Sequence, residues 1–184
     1  MSGHKFYAPK GVGALYVRNG VLFEKLQDGG HQEKDKRAGT ENVAQIVGLG
    51  KAIELIYENF DRYNDKLKTL RNLYITEIEK RIPESKLNGD RANRLPGNAN
   101  FSFKGIDAQK LLFKLDEVGV CASAGSACST GESSPSHVLT AIGLDKSLAN
   151  SALRISFGDS NEKEDVEFLI DNLTNIIKNL EKCE

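Results

Sequence analysis

The chain has 184 residues, of which 39% are hydrophobic and 28% charged, a composition typical of a globular protein with one domain, or one domain plus part of another. Its net charge of -1 excludes the basic surface of a nucleic-acid-binding protein, and no apolar run approaches the ~20 residues of a membrane span. The N-terminus has no apolar signal-peptide stretch, and Cys121, Cys128 and Cys183 form no CxxC pair. We therefore expect a reduced, cytoplasmic protein without membrane or nucleic-acid partners, disulfide framework or metal site.

The first third of the chain predicts strands followed by a helix. "GVGALYVRNGVLFEKL" (11–26) alternates around an Asn19-Gly20 turn signal, which predicts a hairpin or two edge strands. "GGHQEKDKRAGT" (29–40) is a polar surface loop. Thr40 is then the predicted N-cap of a helix, whose apolar side consists of Val43, Ile46, Val47, Ile53 and Ile56.

The rest of the chain alternates helices and short strands. A second helix is predicted from Asp61 to just before Pro83, a short one capped by Asp107, another in "SHVLTAIG", and a long final one from about Asn161. "NANFSFKG" and "ALRISFG" predict strands, and "VCASA" predicts a strand edge. This alternation predicts an α/β fold class, with an α+β small domain at its C-terminal end.

Three residues near the N-terminus are candidates for covalent and phosphate chemistry. A lysine such as Lys5 becomes a covalent catalyst when its amine is held near a carbonyl and its pKa is lowered, although most lysines are only surface charges. Ser2 and His4 could hold a phosphate group, or they could belong to a disordered terminus.

Cys128 lies in a run of Ala, Ser and Gly, which predicts an accessible thiol on a mobile loop at 124–134. The alternative, a small residue in a tight turn, stays open on spacing alone. Cys121 follows Val118 and Val120 and is predicted to be in the core, whereas Cys183 is predicted to be exposed.

Arg154 lies in a strand pattern, either on the solvent face, which its residue type favours, or aimed at a carboxylate that its guanidinium would bind. The "KRAGTEN" segment around Arg37 and Thr40 could bind an anion through backbone N–H groups at a helix start, which is a weak signal by itself.

Four motifs occur together in this order: "SGHKFYAPKGVGALYV", "GGHQEKDKRAGTENV", "SAGSACSTGESSPSHVLTAIG" and "LRISFG". In these motifs the chain resembles the NifS/IscS-type cysteine desulfurases of the class-V aminotransferase family. The resemblance implies the C-terminal part of an aspartate-aminotransferase-type fold that uses pyridoxal 5'-phosphate (PLP). It divides the chain into the tail of the large PLP-binding domain (1–45), connecting helices (46–82) and a small C-terminal domain (83–184).

The resemblance also implies a role for each candidate residue. Lys5 matches the lysine that forms the Schiff base with the cofactor and acts as general acid and base. Ser2 and His4 match residues that bind the cofactor phosphate, and Thr40 matches one that reaches this phosphate across a dimer interface. Cys128 matches the nucleophile that becomes a persulfide, while Arg154 matches the residue that binds the substrate carboxylate.

The implied reaction converts L-cysteine to L-alanine and passes sulfur to an iron–sulfur scaffold or another acceptor protein. Roughly the first half of the family's sequence is missing, so we expect the isolated chain to be inactive and to form a homodimer or to pair with an N-terminal half. Two alternatives remain. A non-catalytic sulfur-relay or scaffold-binding module would tolerate loss of Lys5, and a related PLP β-lyase would tolerate loss of Cys128.

Overall fold

A computed structural model describes residues 1–124 and 135–181, which form two compact units, Met1–Phe60 and one that begins at Asp61. The first unit contains a 3-10 helix (Gly3–Phe6), a helical turn α1 (Gln32–Asp35) and helix α2 (Val43–Glu58). The second unit begins with helix α3 (Phe60–Arg81), whose first residue lies at the boundary. Its other elements follow in chain order: β1 (Ser85–Leu87), β2 (Asn98–Phe103), α4 (Ala108–Glu117), α5 (His137–Ala141), α6 (Lys146–Asn150), β3 (Ala152–Ser156) and α7 (Lys163–Glu181).

The second unit is built around an antiparallel sheet of order β1-β2-β3. Phe101 of β2 pairs with Leu87 of β1 and with Leu153 of β3, which fixes the register of all three strands. Because side chains alternate along a strand, every second residue of β2 and β3 points to the same side. That side is the apolar face of the sheet: Ala99, Phe101, Phe103, Leu153 and Ile155.

Helices α3, α4 and α7 supply the rest of this core. Their inward positions recur every three or four residues, as expected for amphipathic helices. The buried cluster contains Leu70, Tyr74, Ile75 and Ile78 of α3, Leu111 and Leu115 of α4, and Val166, Leu169, Ile170, Leu173 and Ile177 of α7. This confirms the strands predicted in "NANFSFKG" and "ALRISFG", the predicted final helix and the α/β fold class.

The opposite face of the sheet is polar. Ser102 is fully buried there because α6 covers it, and its hydroxyl donates to the Leu148 carbonyl oxygen at 2.7 Å. Towards the other end of β2, Asn98 and Asn100 are only partly buried. The polar face is therefore closed at one end and open at the other.

Asp107 caps α4 as predicted. Its carboxylate accepts hydrogen bonds from the backbone N–H groups of Gln109 and Lys110, at 2.8 and 3.0 Å. A side chain that accepts from the first free N–H groups fixes where a helix starts. Asp107 therefore fixes the start of α4, the helix that precedes the polar segment 124–134 in the chain.

The first unit has a much smaller core. Only Ala8, Leu49 and Ala52 form its buried cluster, with Phe6 and Val12 packed against them. Most of the large hydrophobic side chains that are exposed among the described residues lie in this unit, including Leu15, Tyr16, Leu22, Leu26, Val43 and Val47. Unit 1 therefore offers extensive apolar surface that its own residues do not cover.

The prediction of strands within residues 11–26 is wrong. The turn occurs, with Val21 N–H donating to the Arg18 carbonyl oxygen at 3.1 Å, but residues 11–26 form only an isolated bridge between Gly13 and Ser2. An isolated two-stranded hairpin is marginal in water without further strands or a helix to pack on. Residues 11–26 alternate as expected for strands, but apart from this bridge none of the described residues pairs with them as a neighbouring strand.

Two details of α2 and one cysteine also differ from the predictions. Asn42, not Thr40, is the N-cap of α2, because its side-chain oxygen accepts from the Gln45 N–H at 3.4 Å. The predicted apolar side of α2 is exposed at Val43, Ile46, Val47 and Ile53, while Leu49 and Ala52 are buried. Cys121 is exposed rather than in the core, because Val120 and Ala122 pack against the core and alternation turns Cys121 away.

In the described part of the chain, none of the helices combines the length and apolarity needed to cross a membrane.

The Tyr74 hydroxyl is a buried polar group without a hydrogen-bond partner among the described residues, in a ring packed edge-on against Phe101 and Phe157. We expect Tyr74→Phe to raise the free energy of unfolding by about 1–3 kcal/mol, the cost of burying an unpaired polar group. Chemical denaturation at pH 7 measures this, with Tyr57→Phe, at a tyrosine that is 83% exposed, as the control.

The same substitution has a pH signature. Burial raises the pKa of Tyr74 above its ordinary value of 10.0. The Tyr74 hydroxyl therefore ionises at a lower pH in the unfolded chain than in the folded chain. Because ionisation then favours the unfolded chain, the free energy of unfolding falls as the pH rises above about 10. Tyr74→Phe should lessen the alkaline loss of stability. Equal stability of the two proteins from pH 7 to 11 would contradict this account of the buried hydroxyl.

Candidate functional site

Lys5 lies on a 3-10 turn that is held tightly in place. The Gly3 N–H donates to the Val12 carbonyl oxygen at 2.9 Å, and the Ala8 N–H donates to the Gly3 carbonyl oxygen at 3.2 Å. Gly3 is buried, and a Cβ atom there would lie 2.9 Å from the Val12 oxygen and 3.1 Å from Leu49 Cδ1. Glycine at this position lets the turn approach α2 closely, so Lys5 projects from an anchored segment.

Ser2, His4 and Lys5 are all exposed on this turn. Ser2 Oγ and His4 Nδ1 are 3.0 Å apart, within hydrogen-bond distance. Across the described ranges, no carboxylate forms a salt bridge with Lys5. One turn thus presents a hydroxyl, an imidazole and an amine without a salt bridge together.

Thr40 ends a second loop of the same unit. The Gly39 N–H donates to Gln32 Oε1 at 3.0 Å, and Arg37 Nη1 donates to the carbonyl oxygens of Ala38 and Gly39 at 3.1 and 3.0 Å. Gly39 has a φ of 99°, which favours glycine. The loop is internally bonded up to Gly39, and Thr40 itself is exposed beyond it.

Asp35 ties the beginning of this loop to the preceding segment. Its carboxylate accepts from Lys25 Nζ at 3.0 Å and lies 3.1 Å from His31 Nδ1. The hydrogen bond from Lys25, and then that from His31, lowers the pKa of the Asp35 carboxyl. Glu33, Lys34 and Asp35 all have φ values between 52° and 63°, a left-handed conformation that non-glycine residues seldom adopt in succession.

Arg154 lies in the second unit, in the centre of β3. Its backbone N–H donates to the Ser123 carbonyl oxygen at 2.6 Å, and its carbonyl accepts from the Ser123 N–H at 3.2 Å. Leu153 and Ile155 on either side face the apolar core, so the Arg154 side chain lies on the polar face, where it is partly buried. The side chain is thus not on a fully exposed face, and the alternative, that its guanidinium binds a carboxylate, stays a prediction.

Cys128 and the predicted mobile loop 124–134 lie outside the described residues except for Ala124, and Cys183 lies outside them as well. The residues on either side, Ala124 and Pro135, both line a cavity of about 430 Å³. Asp107 and Gln109 at the start of α4, and Asn150 at the end of α6, also line it. The two described residues that flank the cysteine-bearing segment therefore line the same cavity.

Sequence reasoning missed a polar network on the same sheet face. Asn88 Nδ2 donates to Asn100 Oδ1 at 2.7 Å and to Ser102 Oγ at 2.8 Å. The signal was available in "NANFSF", where polar residues at alternate positions of a strand mark one face. The identity of their partner, Asn88, follows only from the strand register.

The class-V aminotransferase model matches residues 1–169 of this chain. Among curated proteins, the chain is 54% identical over 180 residues to a cysteine desulfurase IscS of Clostridium botulinum, covering 97% of this chain and 45% of the relative. It is 50% identical to a cysteine desulfurase IscS of Dictyoglomus turgidum, covering 98% of this chain and 46% of that relative.

Solved structures show the same relationship. A NifS-like protein from Rickettsia africae superposes with a TM-score of 0.86 at 32% identity, covering 96% of this chain and 46% of that structure. A second NifS-like protein gives a TM-score of 0.83 at 31% identity. The chain belongs to the class-V aminotransferase family, whose members use PLP, and it spans about 45% of the length of these relatives.

The groups on the Lys5 turn fit this cofactor chemically. An amine without a salt bridge can react with an aldehyde, and a hydroxyl beside an imidazole can bind a phosphate ester. The turn brings all three to one exposed surface, and Gly3 keeps it anchored. The donor set on the first unit is thus suited to a phosphorylated aldehyde.

The anchoring of this turn can be tested with two Gly→Ala substitutions. Gly3→Ala should loosen the turn because its Cβ meets backbone and Leu49, and hydrogen exchange of residues 3–14 should accelerate about fivefold or more. Gly50→Ala is the control, since no atom lies within 4 Å of its added Cβ and alanine favours a helix by roughly 1 kcal/mol. Unchanged protection of the Gly3 and Ala8 amides in Gly3→Ala would contradict the tight-anchor description.

Proposed function

We propose that this chain is the C-terminal half of a PLP-dependent cysteine desulfurase, which converts L-cysteine to L-alanine and retains the sulfur as a persulfide on Cys128. The observation that supports it most is the identity of 54% over 97% of the chain with a relative named cysteine desulfurase IscS. The presentation of Ser2, His4 and Lys5 on one turn supports it independently.

In this proposal the first unit holds the cofactor. Lys5 would hold the aldehyde carbon through its amine, Ser2 and His4 would bind the phosphate group, and Thr40 would bind the phosphate held by the other subunit of a homodimer. When bound, PLP supplies an electron sink for the Cα atom of an amino acid. The amine of Lys5, released when the amino group of L-cysteine replaces it, removes the Cα proton of L-cysteine and returns a proton to the product as general acid.

The second unit supplies the carboxylate-binding residue and the nucleophile. Arg154 binds the carboxylate of L-cysteine and so orients the amino acid. The thiolate of Cys128 attacks the substrate sulfur, forming an S–S bond while the Cβ–S bond breaks. The electron pair of that bond stays on Cβ, which takes up a proton, so that L-alanine is released and the sulfur remains on Cys128.

The domain arrangement follows from the same proposal. Residues 1–45 form the tail of the large domain, 46–82 connect, and 83–184 form the small domain. The exposed apolar side chains of unit 1, such as Leu15, Tyr16 and Leu22, support pairing with the part of the large domain that this chain does not match. The sulfur then goes to an iron–sulfur scaffold or another acceptor protein in the cytoplasm.

The cofactor assignment predicts selective labelling of one lysine. We expect PLP at low concentration, followed by borohydride reduction and peptide mass spectrometry, to modify Lys5 about tenfold more than Lys10, because Ser2 and His4 hold the phosphate near Lys5. Lys10 is the internal control, since it is also exposed and lies in the same unit. Ser2→Ala with His4→Ala should remove the preference.

Pyridoxal without its phosphate is the matched probe and should show no preference for Lys5. Equal modification of Lys5 and Lys10 by PLP, both with the chain alone and with a large-domain partner added, would refute the cofactor assignment. If pyridoxal also modified Lys5 in preference to Lys10, the preference would come from the reactivity of the Lys5 amine. That result would contradict the role of Ser2 and His4 in binding the phosphate.

A further inference from the structure

Asn100 is the cross-strand neighbour of Arg154 on the polar face of the sheet. Both backbone hydrogen bonds of Arg154 go to Ser123, so Arg154 and Asn100 form a non-hydrogen-bonded antiparallel pair. In such a pair the Cα atoms are about 4.5 Å apart and the side chains are at their closest. The two side chains thus emerge side by side from adjacent strands.

Arg154 is a partly buried cation that lacks a bonded partner in the described ranges. No hydrogen bond or salt bridge from its guanidinium reaches another described side chain or carbonyl oxygen. A guanidinium carries five N–H donors, and arginines withdrawn from solvent are normally paired. This arrangement leaves the donors available for an anionic ligand at the open end of the polar face.

The Asn100 amide has a fixed orientation. Its Oδ1 accepts from Asn88 Nδ2 at 2.7 Å, and the backbone N–H of Asn88 donates to the Asn100 carbonyl oxygen at 2.8 Å. Asn88 is buried and is held in turn by Ser102 Oγ and by Arg94, whose Nη2 donates to the Asn88 carbonyl oxygen at 2.9 Å.

With Oδ1 turned towards Asn88, the Nδ2 group of Asn100 points away from that network. Within the described ranges, no acceptor is hydrogen-bonded to this Nδ2. An asparagine amide has two N–H donors, and these are then free to bind an acceptor beside Arg154.

We propose that Asn100 is a second carboxylate-binding residue, whose side-chain amide donates to one oxygen of the substrate carboxylate while Arg154 binds the other. The inference rests on the proposed function, in which Arg154 binds the carboxylate of an amino acid. Two donors from adjacent strands hold the carboxylate at two points, which adds to the orientation that Arg154 gives it. The bound amino acid is thereby held in one orientation.

The test uses the full 184-residue chain, labelled with ¹⁵N, without cofactor. Propionate and L-alanine are titrated in turn, and the resonances of the Arg154 Nε–H and the Asn100 side-chain amide are followed. We expect both sets of resonances to move together and to saturate. Asn100→Ala should weaken propionate binding about tenfold, the loss of one hydrogen bond to a charged group, and Arg154→Met should abolish it.

Asn98→Ala is the matched control, because Asn98 lies two residues earlier on the same strand and the same face, opposite Ser156. It should change the affinity less than twofold. Asn100→Asp guards against misfolding in Asn100→Ala, since it keeps an oxygen for Asn88 while removing the donor. It should also abolish binding, through repulsion between carboxylates, with the β2 and β3 amide resonances unchanged.

Three results would overturn the proposal: no saturable binding to the unsubstituted chain, unchanged affinity in Asn100→Ala, or binding that survives Arg154→Met. Because the titration needs no cofactor, its outcome is separate from the Lys5 labelling. Carboxylate binding without Lys5 selectivity would leave this site intact and count against the desulfurase proposal. Lys5 selectivity without carboxylate binding would support the cofactor assignment and overturn the proposed role of Asn100.

Discussion

The register of β2 on β3 is the constraint on which the second unit depends. Pairing Phe101 with Leu153 places the aromatic side of the sheet under α3, α4 and α7, and the same register places Asn100 beside Arg154 on the other side. Because side chains alternate with a period of two, a slip of one residue would bury the polar set and expose the apolar one. The core therefore determines the position of Arg154, and the fold and the proposed carboxylate site depend on the same pairing.

The two units depend on their surroundings to different degrees. The second unit encloses its own core, with Tyr74, Phe101, Leu111 and Leu173 almost fully buried. The first has three buried side chains in its cluster and a large apolar surface. Burial of apolar area is the main favourable term in folding, so a unit with so small a core gains much of its stability from whatever covers that surface. The 3-10 turn that carries Lys5 belongs to this first unit, whose stability depends more on its surroundings.

The sequence predicted what depends on local pattern and missed what depends on partners. Periodicity located α3, α7, β2 and β3, and Asp107 marked the start of α4. The predicted strands at 11–26 failed because alternation indicates a face, whereas a strand also needs a neighbour to pair with. Cys121 was misplaced because apolar neighbours do not say which way an alternating residue points. The Asn88–Asn100 contact joins residues twelve apart, so only the register reveals it.

The central claim is that Lys5, Cys128 and Arg154 of this chain serve one desulfuration reaction with a large domain completed by other residues. The most direct test combines the chain with the part of the Clostridium botulinum relative that it does not match, then adds PLP and L-cysteine. The account predicts one alanine for each sulfur found on the Cys128 peptide by mass spectrometry in a single turnover, and neither product with Lys5→Ala. Alanine formed by the Cys128→Ala variant at the unsubstituted rate would contradict it.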